Sequence, residues 1–219
     1  MTGTLALIGG GDFDATDAVD RQLLARSGGD TVLVLPTADA FEHPERSVTR
    51  AEAWFAARGG SARGLAVLAR PDAFAPEHVA AVRESPFTYL VGDSPMHLRS
   101  VLKDTPLWEA LLAAVAAGGL VAASGPAAMA MCDPMTDPRG GAFTLGLGLV
   151  RPMAVVPGSE AWSHDRLHRT LGLGKSFPVV TLATGAAVLR GAHGWSSRGD
   201  DAVHLAGAEV GLGALPPAP

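Results

Sequence analysis

The chain has a single cysteine, Cys132, which excludes an internal disulfide and any cysteine-clustered metal centre. It also lacks an apolar run of the roughly 18 residues that a membrane span needs. Its most apolar stretch, 111–123, contains Gly118 and Gly119 and fits a helix followed by a strand. No basic segment precedes an apolar one at the amino terminus, so no signal peptide is expected and the expected location is the cytoplasm. Positive charge is not in excess: the net charge is −5 and the pI is near 5.8, which speaks against a nucleic-acid surface built on a general positive field. Internal repeats and low-complexity linkers are absent too. Nucleic acid and membranes are therefore not expected partners, and nothing in the sequence calls for a cofactor.

What is present is apolar surface. Hydrophobic residues make up 47% of the chain and charged residues 18%, enough to bury a core and unlike a disordered composition. A length of 219 residues is long for one domain and short for two, so residues 1–219 are read as a single domain.

Apolar, β-rich runs alternate with segments of helical period, the pattern of parallel strands joined by crossover helices. Strands are expected at 4–8, 31–35, 64–68, 87–91, 120–123, 153–156, 179–182, 187–189 and 202–205. Helices are expected at 15–27, 45–58, 76–83, 96–102, 107–117, 127–131 and 164–171, and residues 215–219 read as a tail. The most informative junction is the short strand that breaks at Ser124-Gly125-Pro126 into a helix.

Several segments, in order and at suitable spacing, resemble the peptidase S51 family of dipeptidase E and cyanophycinase, on the class I glutamine-amidotransferase-like scaffold. They are Gly9-Gly10-Gly11-Asp12-Phe13, Pro36-Thr37-Ala38, Val91-Gly92-Asp93-Ser94, the small-residue turn at Ser124 with Asp133-Pro134-Met135 after it, Gly146-Leu147-Gly148-Leu149, and the stretch from Trp162 to Leu171 with Asp165-Arg166 and Arg169. The similarity covers nearly the whole chain. It implies an α/β fold: a doubly wound, mostly parallel sheet with helices on both faces, in flavodoxin-like three-layer form. It further implies a serine nucleophile on a sharp turn, a histidine base after a later strand, an acidic partner, activity on acidic or aspartyl peptides, and a homodimer.

Residue by residue, those roles transfer badly. The family pattern at the nucleophile is Gly-x-Ser-Ala-Gly. Anchored on Met129 and Cys132-Asp133-Pro134, the nucleophile position falls on Gly125, which has no hydroxyl, and the next residue, Pro126, has no N–H for an oxyanion. A slip of one residue makes Ser124 the nucleophile; the alternative is that Ser124 only caps the following helix. The base position after Val155-Val156-Pro157 matches Gly158. A relocated base would be His97, near the Gly92 turn, or His164. His164 and His168 lie four apart on one helical face, a spacing that also suits a metal, but no Glu follows His164 and no metal is expected. Asp133 and Asp137 are candidates for the acidic partner or for turn formation. Gly92, Asp93 and Gly125 are the candidate ligand- or oxyanion-binding positions, and an inward Asp93 would repel an acidic substrate. Gly9-Gly10-Gly11 lacks the last glycine of a dinucleotide fingerprint, so a tight turn is the simpler expectation.

Two functions follow. One is a peptidase-like scaffold with a degenerate site, non-catalytic or altered in activity, that binds a small molecule, peptide or partner. The other is an active serine peptidase or hydrolase using Ser124.

Overall fold

The computed structural model describes residues 3–217. The strands are β1 (Thr4–Ile8), β2 (Thr31–Leu35), β3 (Ser61–Gly64), β4 (Phe87–Leu90), β5 (Leu120–Ser124), β6 (Met135–Thr136), β7 (Phe143–Thr144), β8 (Ala154–Pro157), β9 (Val179–Leu182), β10 (Ala187–Gly191), β11 (Gly194–Arg198), β12 (Asp201–Leu205) and β13 (Ala208–Val210). The helices are α1 (Asp17–Ser27), α2 (Pro44–Ala56), α3 (Pro76–Glu84), α4 (Pro95–Leu102), α5 (Pro106–Ala116), α6 (Pro126–Met131) and α7 (His164–Leu173).

A seven-stranded sheet runs in the order β11-β10-β1-β5-β4-β2-β3. Strands β3, β2, β4, β5 and β1 are parallel, and β10 and β11 extend the sheet antiparallel beside β1. Strands buried on both faces read as continuous apolar runs, and here successive residues serve opposite layers. Leu5, Leu7, Leu33 and Leu35 pack toward α3–α6. Ala6, Ile8, Val32 and Val34 pack toward α1 and α2, against Val19, Leu23, Trp54 and Phe55. The expected α/β class, mostly parallel with helices on both faces, is the fold observed.

Besides strands β6, β7, β11 and β13, which the sequence reading did not include, three regions depart from it. The third strand lies at 61–64 rather than 64–68, because edge strand β3 is largely exposed while the apolar Leu65 and Val67 leave it to enter the core. Strands β13-β12-β9-β8 form a separate four-stranded sheet, a split that strand periodicity does not reveal. Residues 215–217 are docked: Leu215 is buried and the Pro216 carbonyl accepts a hydrogen bond from Trp195 Nε1 at 2.8 Å. The rest of the expected tail, 218–219, lies outside the described residues. Among the described residues, no helix is long and apolar enough to cross a membrane.

Candidate functional site

The parallel register sets the site. Leu35 pairs with Leu90, Leu90 with Ala123, and Ser124 with Ile8, so the turns after β2, β4, β5 and β1 emerge side by side. In open α/β sheets ligands bind outside the carboxyl ends of the strands. A cleft of about 410 Å³ opens there, floored by Gly10, Gly11, Asp12, Asp39, Gly92, Asp93, Ser124 and Gly125, with Pro126 beside them. Glu42, Arg46 and Arg50 of the α2 region stand exposed at its mouth.

The strand-to-helix turn carries its strain at Gly125, whose φ is 56° and ψ −138°. A nucleophile elbow holds its reacting side chain at a sharp, strained turn of this kind, and glycine adopts such a conformation without a Cβ penalty. A Cβ added at Gly125 would meet nothing closer than Gly10 Cα at 3.7 Å. The turn therefore has room for the side chain it lacks. Its donors are also spent or missing: the Gly125 N–H bonds the Ile8 carbonyl at 3.0 Å, and Pro126 has no N–H.

Ser124 is the last residue of β5, and the pleat points it to the α1/α2 side of the sheet, the side that holds Ala122. It is 1% exposed. Its hydroxyl donates a short hydrogen bond to Asp12 Oδ1. The first helical turn of α6 begins behind Gly125 and has no side-chain cap, so the expected capping role of Ser124 is corrected: its hydroxyl is committed to Asp12.

Around Asp12 the cleft is rich in acceptors. Asp39 Oδ1 accepts from the Asp93 N–H at 3.0 Å and Asp39 Oδ2 from the Ser47 hydroxyl at 2.6 Å. Arg50 donates to the Asp12 carbonyl and, at 2.9 Å, to Asp14 Oδ2. Burial, above all, raises the Asp12 carboxyl; the Ser124 bond and Arg50 oppose the rise, and the charges of Asp93 and Asp39 add to it. Asp93 is raised as well, by partial burial first and then by Asp39 and Glu42.

A second carboxylate lies beneath the floor. Asp20 of α1 is wholly buried; Thr16 Oγ1 donates to its Oδ2 at 2.5 Å, and the Tyr89 hydroxyl lies 3.0 Å from its Oδ1. Burial pushes its pKa up to about 7, against those two hydrogen bonds and with help from the Asp12 charge.

The other candidates lie elsewhere. His97 packs edge-on to Phe41, and its Nε2 bonds the Leu68 carbonyl at 2.8 Å. His164 is 91% exposed, 3.6 Å from Asp165 and stacked on His168. Asp137 holds Arg139, whose guanidinium and N–H keep its carboxyl below the usual range. Asp133 accepts the Gly146 N–H at 3.1 Å. Gly158 follows β8 at φ 57° and ψ 39°, and a Cβ there would stand 3.7 Å from the Gly9 carbonyl. Thus Gly125 and Gly158 both face the Gly9-Gly10 segment, while no histidine among the described residues lines the cleft. No group of three or more His, Cys, Asp or Glu is arranged to hold a metal among those residues. Gly9 itself marks a close approach: its Cβ would fall 2.0 Å from the Ala183 carbonyl.

Sequence reasoning missed Asp12, Asp39, Asp20 and Tyr89 as site residues. Asp12 and Asp39 had a signal, since each follows a strand by a few residues at the ligand-binding end; Asp20 and Tyr89 had none.

No family model matches the chain, and no curated protein does. Several solved structures share its architecture, and two of them show the likeness. A peptidase from an acI-B1 Actinobacterium superposes with a TM-score of 0.82 at 23% identity, covering 96% of this chain and 93% of that one. A putative peptidase E protein from Listeria monocytogenes EGD-e gives a TM-score of 0.69 at 16% identity, covering 90% of this chain and 98% of that one. Over nearly its whole length, then, this chain has the fold of peptidase E-like proteins.

Proposed function

We propose that the chain is a peptidase-like scaffold that has given up Ser–His hydrolysis and keeps its strand-end cleft for binding a small molecule or peptide. The observation that carries this is the elbow: the strained apex is Gly125, and the adjacent Ser124 is turned below it onto Asp12. Serine hydrolysis needs a hydroxyl, a base and an oxyanion donor acting as a unit. Here the apex has no hydroxyl, the following residue has no N–H, and the candidate bases His97 and His164 are engaged at Leu68 or exposed to solvent. The cleft's acceptors, Asp12, Asp39 and Asp93, favour a ligand that brings hydrogen-bond donors and repel an acidic peptide. Labelling of folded protein with a broad fluorophosphonate, mapped by mass spectrometry, tests the reading. No adduct is the expected result; an adduct on Ser124 that disappears in Ser124→Ala overturns it.

A further inference from the structure

Away from the cleft, α7 is anchored along one side only. Leu167 and Leu171 pack against the cluster of Ala154, Val156 and Val179. Thr170 is buried and donates to the Gly141 carbonyl at 2.7 Å, and Arg166 and Arg169 donate to the Pro138 and Gly140 carbonyls. The helical period then turns positions 164 and 168 toward solvent, one above the other. His164 is 91% exposed and His168 is exposed too. Their rings lie 6.1 Å apart between centroids and within 7° of parallel. Neither imidazole makes a hydrogen bond among the described residues. Asp165 Oδ1 stands 3.6 Å from His164 Nδ1, too far for a hydrogen bond, yet its charge favours the tautomer with the proton on Nδ1 and the lone pair on Nε2.

We propose that His164 and His168 chelate one divalent late-transition cation, Cu2+ in preference to Ni2+ or Zn2+, through one ring nitrogen each, with water completing the coordination. Neutral imidazole suits these ions, and their affinity for a given nitrogen site peaks at Cu2+; Mg2+ and Ca2+ require oxygen donors that this face does not assemble. The rings as they stand are parallel rather than convergent. Both are open to solvent, so a turn about each Cβ–Cγ bond aims the two nitrogens at one ion without moving the helix. Arg169, next in the chain to His168, and the amino end of α7 oppose a cation, while Asp165 favours one. That balance selects an ion held by coordination over one held by charge alone.

The missing glutamate after His164 and the count of two protein donors, one fewer than a catalytic zinc centre uses, make this a clip and not a hydrolytic site. Two rings reach one ion only while residues 164–168 are helical. The ion therefore stabilises the first turn of α7, and with it the loop 137–142 that Arg166, Arg169 and Thr170 hold. Neither histidine lines the cleft, so the site lies beyond the proposed function and stands whatever the cleft binds.

The chain has seven histidines, and protein labelled with 15N in the histidine rings lets each be followed by NMR as Cu2+, which is paramagnetic, is added. Substoichiometric Cu2+ is expected to erase the His164 and His168 signals before those of His43, His78, His97, His193 and His204. In His168→Ala protein the His164 signal should survive at least about tenfold more Cu2+, as should the His168 signal in His164→Ala, since losing even a group that only orients a ligand costs that much affinity. The proposal is overturned if the two signals fade no earlier than the others. It is equally overturned if each fades as readily without the other, which would mean two independent surface imidazoles. Thermal unfolding gives a second readout: Zn2+ should raise the wild-type Tm and leave both variants unmoved, and Mg2+ should move none of the three. An equal Zn2+ shift in wild type and variants would also sink the chelate.

Discussion

The cleft floor and the loop between β6 and β7 both contain carboxylates, yet they treat them in opposite ways. In the floor Asp12, and beneath it Asp20, are raised, with burial the leading cause in each. In the loop, Asp137 is lowered, with the Arg139 hydrogen bond the leading cause. A carboxyl withdrawn from water favours its neutral form; one beside a guanidinium in solvent favours its charge. Both segments offered acids near candidate site positions, and only their surroundings tell which one favours its neutral form and which one ties a turn.

Asp20→Asn should break the comparison most strongly. A raised carboxyl contributes stability that is complete below its unfolded pKa and lost as pH rises through the folded one. For Asp20 that window runs from its ordinary 3.8 to about 7. Across it this group should lower the wild-type unfolding free energy by on the order of 4 kcal/mol at most, and it should add no further slope above. The Asn variant should lose that part of the slope, leaving the part that Asp12, also raised, contributes in the same direction. Urea unfolding at a series of pH values measures both curves, and parallel curves would place Asp20 with the solvent-facing acids.

A smaller effect is expected from Gly125→Ser, which puts a hydroxyl at the apex above the acidic floor. The backbone there should make it cost about 1–3 kcal/mol, with no steric clash because the nearest neighbour of the new Cβ is 3.7 Å away. The variant should still not react with fluorophosphonate, since neither a base nor a Pro126 N–H is supplied. Strong labelling of residue 125 would show that the floor carboxylates can activate a hydroxyl. The smallest effect is that of Asp137→Asn, expected to change stability by less than about 1 kcal/mol and to fade with added salt. A larger, salt-insensitive loss in thermal or urea unfolding would move Asp137 into the buried class.

Much of the frame was legible. Four helix starts, read at Glu45, Met96, Leu107 and Ala127, begin one residue earlier on Pro44, Pro95, Pro106 and Pro126. Proline suits the first helical position because the N–H it lacks has no partner there. The placement of the degenerate nucleophile on Gly125 has a structural counterpart in the strained φ and ψ of that residue. The role of Ser124 was not legible: a serine before a helix usually caps it, but here the strand continues through Ser124 and the cap position passes to Gly125.

By itself the sequence determined most of the runs that form buried strands and, to within about a residue, where four of the helices begin. Those are local facts of composition and period. Only the tertiary structure decided what Ser124 and Asp20 would meet, since their partners Asp12 and Tyr89 lie 112 and 69 positions away in the chain. The pleat selects the face a side chain takes, but the charge state of a buried acid depends on the groups that packing brings to it from distant strands, and no local pattern records those.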